Sequence, residues 1–256
     1  MTSRRKLPLL LFVAATLIVG GAAEAAEVRI QGQAVFYKAK VGEVNRVVVR
    51  SFPSLGDPSG VLIAGVEISD TAPLSGFVGC HPNGPGAVLC EIDNPQFVEL
   101  DLGNKDDEVR QVEVATPFSV PMRVLGGLGN DLITGGFAAD ILDGGAGEDT
   151  LDGSDGDDLL HGSAGRDTIR GGRGADRIDG DSGDDLLLDG GGGDDDVRGG
   201  LGGDTLTGGP GRDRLSGGAG GDRLNSRDGE IDDLDCGSGN DEVDRDAADT
   251  TRSCGR

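Results

Sequence analysis

From Gly126 to Asn225 one aliphatic residue returns every nine positions with a carboxylate two places before it, in units that begin GGLGNDLIT, GGFAADILD and GGAGEDTLD. The aliphatic series reads Ile133, Leu142, Leu151, Leu160, Ile169, Ile178, Leu187, Val197, Leu206, Leu215 and Leu224. This period is neither that of a helix nor the sustained alternation of a long strand, so each unit is predicted to be a turn of about six residues followed by a strand of about three. One apolar side chain per unit predicts a narrow interior completed only by stacking units on one another. Residues 27 to about 123 have another texture, with apolar runs such as VRIQGQAVFYKAKV, NRVVVRS, GVLIAGVEIS and QFVELDL between Gly, Pro and Asn turns, which read as short β-strands. Within them DLGNKDDEV (101–109) has the form of a decayed unit; after the repeats, SRDGEIDDLD is a degenerate unit, and CGSGNDEVD (236–244) restores the pattern with Asp241 at the carboxylate position. The expected organisation is a β-rich cap over 26–123, eleven repeats over 124–225, and a closing segment over 226–256.

The carboxylates stand at the sixth position of every unit: Asp131, Asp140, Asp149, Asp158, Asp167, Asp176, Asp185, Asp195, Asp204, Asp213 and Asp222. Their oxygens are hard donors, suited to Ca²⁺ and ill suited to soft metals. The glycines before them allow backbone conformations that a Cβ forbids, as a turn with converging carbonyls requires. A solvated disordered linker could share this composition, but not the phase between aspartate and aliphatic residue held over eleven units. The departures are Ala138 at a fourth position, Ser154 and Ser163 at second positions, and the unit GDSGDDLLLD, which carries Asp181 and Ser182 and has ten residues where nine are expected.

Charge adds a constraint. The chain has a formal net charge of −23, and between Gly126 and Asn225 there are 22 acidic and 8 basic residues. Carboxylates stacked at the sheet spacing of about 4.8 Å repel unless a cation lies between them, whereas two aspartates and one Ca²⁺ are neutral together. Folding of the repeats is therefore expected to depend on the metal. Nucleic acid and anionic lipid are poor partners for such a chain.

These units resemble the calcium-binding nonapeptide of the RTX, or haemolysin-type, proteins, G-G-x-G-x-D-x-U-x. The resemblance implies an all-β, right-handed parallel β-roll in which two units make one coil and loops n and n+2 stack, placing Asp131 near Asp149 and Asp140 near Asp158. It also implies several Ca²⁺ ions held between loops by the sixth-position aspartates, with Asp241 as a further terminal ligand, and by glycine carbonyls such as those of Gly127, Gly129, Gly145, Gly147, Gly200, Gly202, Gly209 and Gly211. The N-terminal β segment and a disulfide-closed C-terminal segment would then cap the roll.

Arg4, Arg5 and Lys6 precede an apolar run from Leu7 to Val19, and Ala23-Glu24-Ala25 supplies small residues for cleavage, so residues 1–25 read as a secretory signal and the product as extracellular, with no membrane span after cleavage. Four cysteines suit an oxidising compartment; Cys80 with Cys90 and Cys236 with Cys254 are the local pairs, though three pairings are formally open. Without CxxC or an adjacent His, thiolate metal binding is disfavoured. No catalytic constellation stands out. Gly180-Asp181-Ser182-Gly183 has the lettering of a protease nucleophile motif but lies in phase with the repeats, HExxH is absent, and His81 and His161 are isolated. The seventh positions of alternate units (Leu132, Thr150, Thr168, Leu186, Thr205, Arg223) form no regular threonine array. The expectation is a secreted, non-enzymatic calcium-binding roll; an adhesin or matrix scaffold is the alternative, and a hydrolase in residues 27–123 a more remote one.

Overall fold

The computed structural model describes residues 98–109 and 120–254 in full, together with the backbone of the strands between Ala26 and Glu113. The expected signal over 1–25 and the pairing of Cys80 with Cys90 lie outside the described residues.

Every unit does what its period demands. A short strand carries one inward aliphatic side chain, the glycine turn reverses the chain, and the next strand joins the opposite sheet. Two 12-stranded sheets result, and the chain alternates between them through about seven turns of a parallel solenoid with no helix among the described residues. Neighbouring strands are parallel and offset by two units. In one sheet Leu142 sits beside Leu160 and Leu160 beside Ile178; in the other Ile133 sits beside Leu151 and Leu151 beside Ile169. Two units per coil is thus the observed architecture.

The interior is one column of side chains. Ile133, Leu142, Leu151, Leu160, Ile169, Ile178, Val197, Leu206, Leu215 and Leu224 are fully buried and are continued by Leu100, Val109 and Val124 at one end and Leu234 at the other. The flanks therefore belong to the same column. The strand Glu108–Glu113 pairs in parallel with Leu132–Thr134, and Phe97–Asp101 with Met122–Leu128, so the decayed unit over 101–109 is a coil in register. Further out, Ala26–Gln31 pairs antiparallel with Ala34–Lys38, and Arg46–Gly56 antiparallel with Leu62–Ser69, which ends the regular coiling. At the other end Cys236 is bonded to Cys254, as the local pairing anticipated.

One assignment is corrected. In the ten-residue unit the interior residue is Leu188 and not Leu187; Leu187 pairs with Thr168 on the outer row, and Leu186 is pushed out to 50 % exposure. The amide of Leu186 still bonds the carbonyl of Asp167, so the extra residue enters after it. The strand bulges locally, because holding a leucine in the column outweighs keeping the nine-residue count. Leu188→Ala should then destabilise the folded protein by about 2–5 kcal/mol and Leu187→Ala by under about 1 kcal/mol, measured by urea unfolding at fixed calcium. Equal effects at the two positions would contradict this register.

Candidate metal centre

Each sixth-position aspartate ends the turn with its side chain directed back between the coils, where burial is nearly complete although the residue is ionisable. The stacking explains the arrangement. The Oδ1 of Asp149 accepts the amide of Asp131 at 2.7 Å, Asp158 that of Asp140 at 2.7 Å, and Asp167 that of Asp149 at 2.8 Å. The same bond joins Asp176 to Asp158, Asp185 to Asp167, Asp195 to Asp176, Asp204 to Asp185, Asp213 to Asp195 and Asp222 to Asp204, at 2.8–3.0 Å. Two ladders of carboxylates therefore run along the solenoid, one on each loop edge, each tying a coil to the next.

The other oxygen is left over. Among the described residues, the Oδ2 atoms of Asp131, Asp149, Asp158, Asp167, Asp176, Asp185, Asp195, Asp204, Asp213 and Asp222 are buried with no hydrogen-bond partner. A repeated buried carboxylate oxygen without a donor marks a position where a cation completes the group, since such an orphan is costly otherwise. Asp140 is the exception: its Oδ2 accepts the amide of Gly136 at 2.8 Å, in the unit where Ala138 replaces the fourth-position glycine.

The surroundings of Oδ2 hold candidate oxygen donors that the sequence reading missed. The first glycine of each unit has no positive φ, so backbone conformation does not require it. Space does. A Cβ built on Gly126 would collide with Asp131 Oδ2 and the carbonyl oxygen of Gly144, and one on Gly171 with Asp176 Oδ2 and the carbonyl of Gly190. First-position carbonyls such as those of Gly144, Gly153, Gly190 and Gly199 thus converge with a carboxylate oxygen of the preceding coil. The signal in the sequence was the first glycine of nearly every unit, which turn geometry alone does not explain. The glycines expected as ligands also serve the stacking. Gly127, Gly129, Gly145, Gly147, Gly200, Gly202, Gly209 and Gly211 all have positive φ, and the carbonyl of Gly127 is aimed at Cα of Gly145 as that of Gly129 is at Gly147. Their carbonyls stack coil upon coil along the same loops. Ser154, Ser163 and Asp181 keep the left-handed conformation at φ 79°, 75° and 68°, at some local strain.

Three aspartates outside the anticipated set join the ladders, Asp107, Asp232 and Asp249, the last accepting the amide of Asp232 at 3.2 Å. Asp107 donates its amide to Asp131 Oδ1 at 2.8 Å, and Asp232 accepts the amide of Asp213 at 2.8 Å. Irregular spacing hid Asp232: SRDGEIDDLD is a second ten-residue unit, with Ile231 extruded and Asp232 taking the carboxylate position. Asp241 accepts the amide of Asp222 at 3.1 Å and keeps an unpartnered Oδ2, but the first residue of its unit is Cys236, whose side chain stands where a glycine would leave space. His161 lies on the outer face with Nδ1 3.6 Å from Asp181 Oδ2, and Ser182 Oγ donates to the carbonyl of Ser163 at 3.0 Å, a structural contact within the loop.

Electrostatics follow from this burial. Burial pushes the carboxyls of Asp131, Asp185 and Asp195 up to about 7 and that of Asp158 to about 8, with repulsion from the neighbouring ladder aspartates adding to it and the hydrogen bond from the previous coil opposing it. Asp149, Asp204 and Asp213 rise to about 6 for the same reasons. The donor set of carboxylate and carbonyl oxygens in a cradle without Cβ atoms fits Ca²⁺ and offers nothing to a thiophilic metal.

The comparisons agree with this geometry. Residues 123–151, 152–187 and 188–230 match the family model of the RTX calcium-binding nonapeptide repeat (4 copies), so this stretch carries RTX repeats. No curated protein matches the chain.

The sign of the pH dependence is set by these raised values. Without metal, the folded state favours protonated aspartates, so their contribution to stability is complete below about pH 4 and is lost as pH rises through about 6 to 8. Calcium requires the ionised form, so binding to a chain already folded without metal releases protons and weakens as pH falls from about 8 to about 6, whereas a chain that folds only with the metal starts from solvated, ionised carboxyls and releases few. Calcium titration calorimetry at pH 6.5 in buffers of different ionisation enthalpy separates the two: heats independent of the buffer are expected where folding accompanies binding, and buffer-dependent heats would show that the carboxyls are buried before the metal arrives.

Proposed function

We propose that the protein is a secreted calcium-binding roll whose ordered stacking depends on the ions it holds. The observation that carries this reading is the row of buried, unpartnered Oδ2 atoms at sixth positions, most of them, as at Asp131, Asp158, Asp176 and Asp195, beside a first-position carbonyl oxygen of the next coil. Asp131, Asp149, Asp158, Asp167, Asp176, Asp185, Asp195, Asp204, Asp213 and Asp222 would hold the ions with those carbonyls, and the loop carbonyls of the second and fourth positions would add oxygens. Asp140, already bonded to Gly136, and Asp241, beside Cys236, are the weaker members of the set. When bound, Ca²⁺ supplies positive charge between carboxylates that otherwise repel across each coil contact. The chain's own part is to aim those oxygens, exclude water from them, and hold one oxygen of each pair in a backbone hydrogen bond.

A role for metal in folding is supported by the charge of the repeats, 22 acidic against 8 basic residues, beside one buried aliphatic side chain per unit. Affinities of about 10⁻⁴ to 10⁻³ M would match extracellular calcium modules. Secretion is supported by the N-terminal sequence, and the disulfide between Cys236 and Cys254 is compatible with an oxidising compartment. No helix among the described residues is long and apolar enough to cross a membrane. The reading assigns no catalytic role.

Far-ultraviolet circular dichroism of the chain at neutral pH should show little strand signal in EDTA and a cooperative gain on adding calcium, and calorimetry should return several ions per chain. Strand content unchanged by EDTA would refute metal-dependent folding. Asp167→Asn keeps an oxygen for the amide of Asp149 and removes the charge, so it should lower the number of bound ions by at least one while the folded protein persists at high calcium.

A further inference from the structure

Outside the aspartate ladders, the fifth position of the repeat forms a second set of contacts between coils. Its side chain, where it is Asp or Asn, turns back to accept the amide of the fifth residue one coil on. Asn130 accepts the amide of Glu148 at 2.9 Å, Asp157 that of Ala175 at 2.9 Å, Asp184 that of Gly203 at 2.9 Å and Asp194 that of Arg212 at 3.1 Å. Asp106 does the same for Asn130 at 3.0 Å in the N-terminal coil. The series is not continuous: Ala139, Arg166 and Ala175 also carry no acceptor at this position, and on one loop edge residues 203 and 221 are glycine, so no fifth-position side chain reaches the amides of Gly221 and Asn240.

A trough of about 250 Å³, open on one side, lies here, lined by Gly203, Gly221 and Asn240 together with Thr205, Arg223 and Glu242. Arg223 Nε lies 3.1 Å from Glu242 Oε2, an exposed ion pair among the lining residues. The buried residues Asp204 and Asp222 also line it.

We propose that this trough binds a carboxylate group, which takes the place of the absent fifth-position side chains and accepts the amides of Gly221 and Asn240, with Thr205 and Arg223 as further donors. The chain itself shows the chemistry: at five other fifth positions the same backbone amide is met by an Asp or Asn oxygen. The inference rests on the calcium reading, because Asp204 and Asp222 repel an anion until a cation offsets their charge. The trough is therefore a site of the calcium-loaded chain, and by linkage a bound carboxylate raises calcium affinity at the adjacent rungs.

The test is amide NMR of the full chain at saturating calcium, with acetate standing for a small organic acid and N-acetylaspartate amide for an acidic side chain of a peptide, each against chloride at matched ionic strength. The expected result is a saturable shift of the Gly221 and Asn240 amides beyond the chloride control; the probe that saturates at lower concentration identifies the source of the carboxylate. Neither Gly203 nor Gly221 has a positive φ, and a Cβ on Gly203 comes no closer than 3.2 Å to its neighbours, so a side chain fits there. Gly203→Asp should bond the Gly221 amide as Asp184 bonds that of Gly203, abolishing its response while that of Asn240 persists. Arg223→Gln should raise the half-saturating concentration severalfold. No shift beyond chloride with either probe, or a response of Gly221 unchanged in Gly203→Asp, would overturn the proposal. Circular dichroism on the same samples tells that outcome from failure of the calcium reading, in which the chain would not order on calcium at all.

Discussion

One aspartate oxygen bonded and the other without a donor is the constraint on which this solenoid rests. The amide of each sixth-position residue donates to a carboxylate one coil later, so the side chain is drawn between coils and desolvated on both oxygens. A neutral residue of the same shape would satisfy the hydrogen bond, but not the accumulation of like charge along each ladder. Burial and repulsion together raise the pKa of these groups, and a divalent ion would reverse the balance by favouring the charged form. The interaction that aligns the coils is thus also the one that buries like charge between them.

The glycines divide into two kinds that a motif shows as identical letters. At the second and fourth positions the backbone is left-handed, and the carbonyl of the previous coil is aimed at Cα, as at Gly145 and Gly147. At the first position the backbone is ordinary and the side chain is excluded because a carboxylate oxygen and a carbonyl oxygen of the next coil occupy its place, as Asp131 Oδ2 and the Gly144 carbonyl do at Gly126. Ser154 and Ser163 replace second-position glycines and keep the left-handed backbone at some strain, whereas no first position between Gly126 and Gly217 departs from glycine.

Much of this was legible along the chain. The period placed strands, turns, ladder aspartates and the interior column, because each depends on contacts between residues a fixed number of positions apart. What the period could not convey is where an insertion falls inside a unit. In GDSGDDLLLD three consecutive leucines could each fill the column, and only the pairing of Leu187 with Thr168 shows that Leu188 does. Asp232 was missed for the same reason, since Ile231 interrupts the count, and Asp107 because Leu102 and Lys105 replace two of the expected glycines. The first-position carbonyls were missed because a backbone oxygen has no letter of its own.

The same cradle decides where the ladders lose their character. At the N-terminal end the first position is Leu102, buried in the column, and at the C-terminal end it is Ser226 and then Cys236. Each brings a side chain into space that eleven glycines leave open. Ser226 Oγ donates to Asp249 Oδ2 at 3.0 Å, and the amide of Asp246 donates to that oxygen at 2.7 Å, so the last aspartate of this ladder has its donors from the protein itself. Cys236 carries the bond to Cys254 and so fixes the final strand to the coil beneath it. The terminal coils thus add hydrogen bonds, apolar burial and a covalent link to the ladder contacts. Single residues at first positions supply these additions, while the Oδ2 atoms of Asp232 and Asp241 stay buried and unpartnered as in the inner rungs.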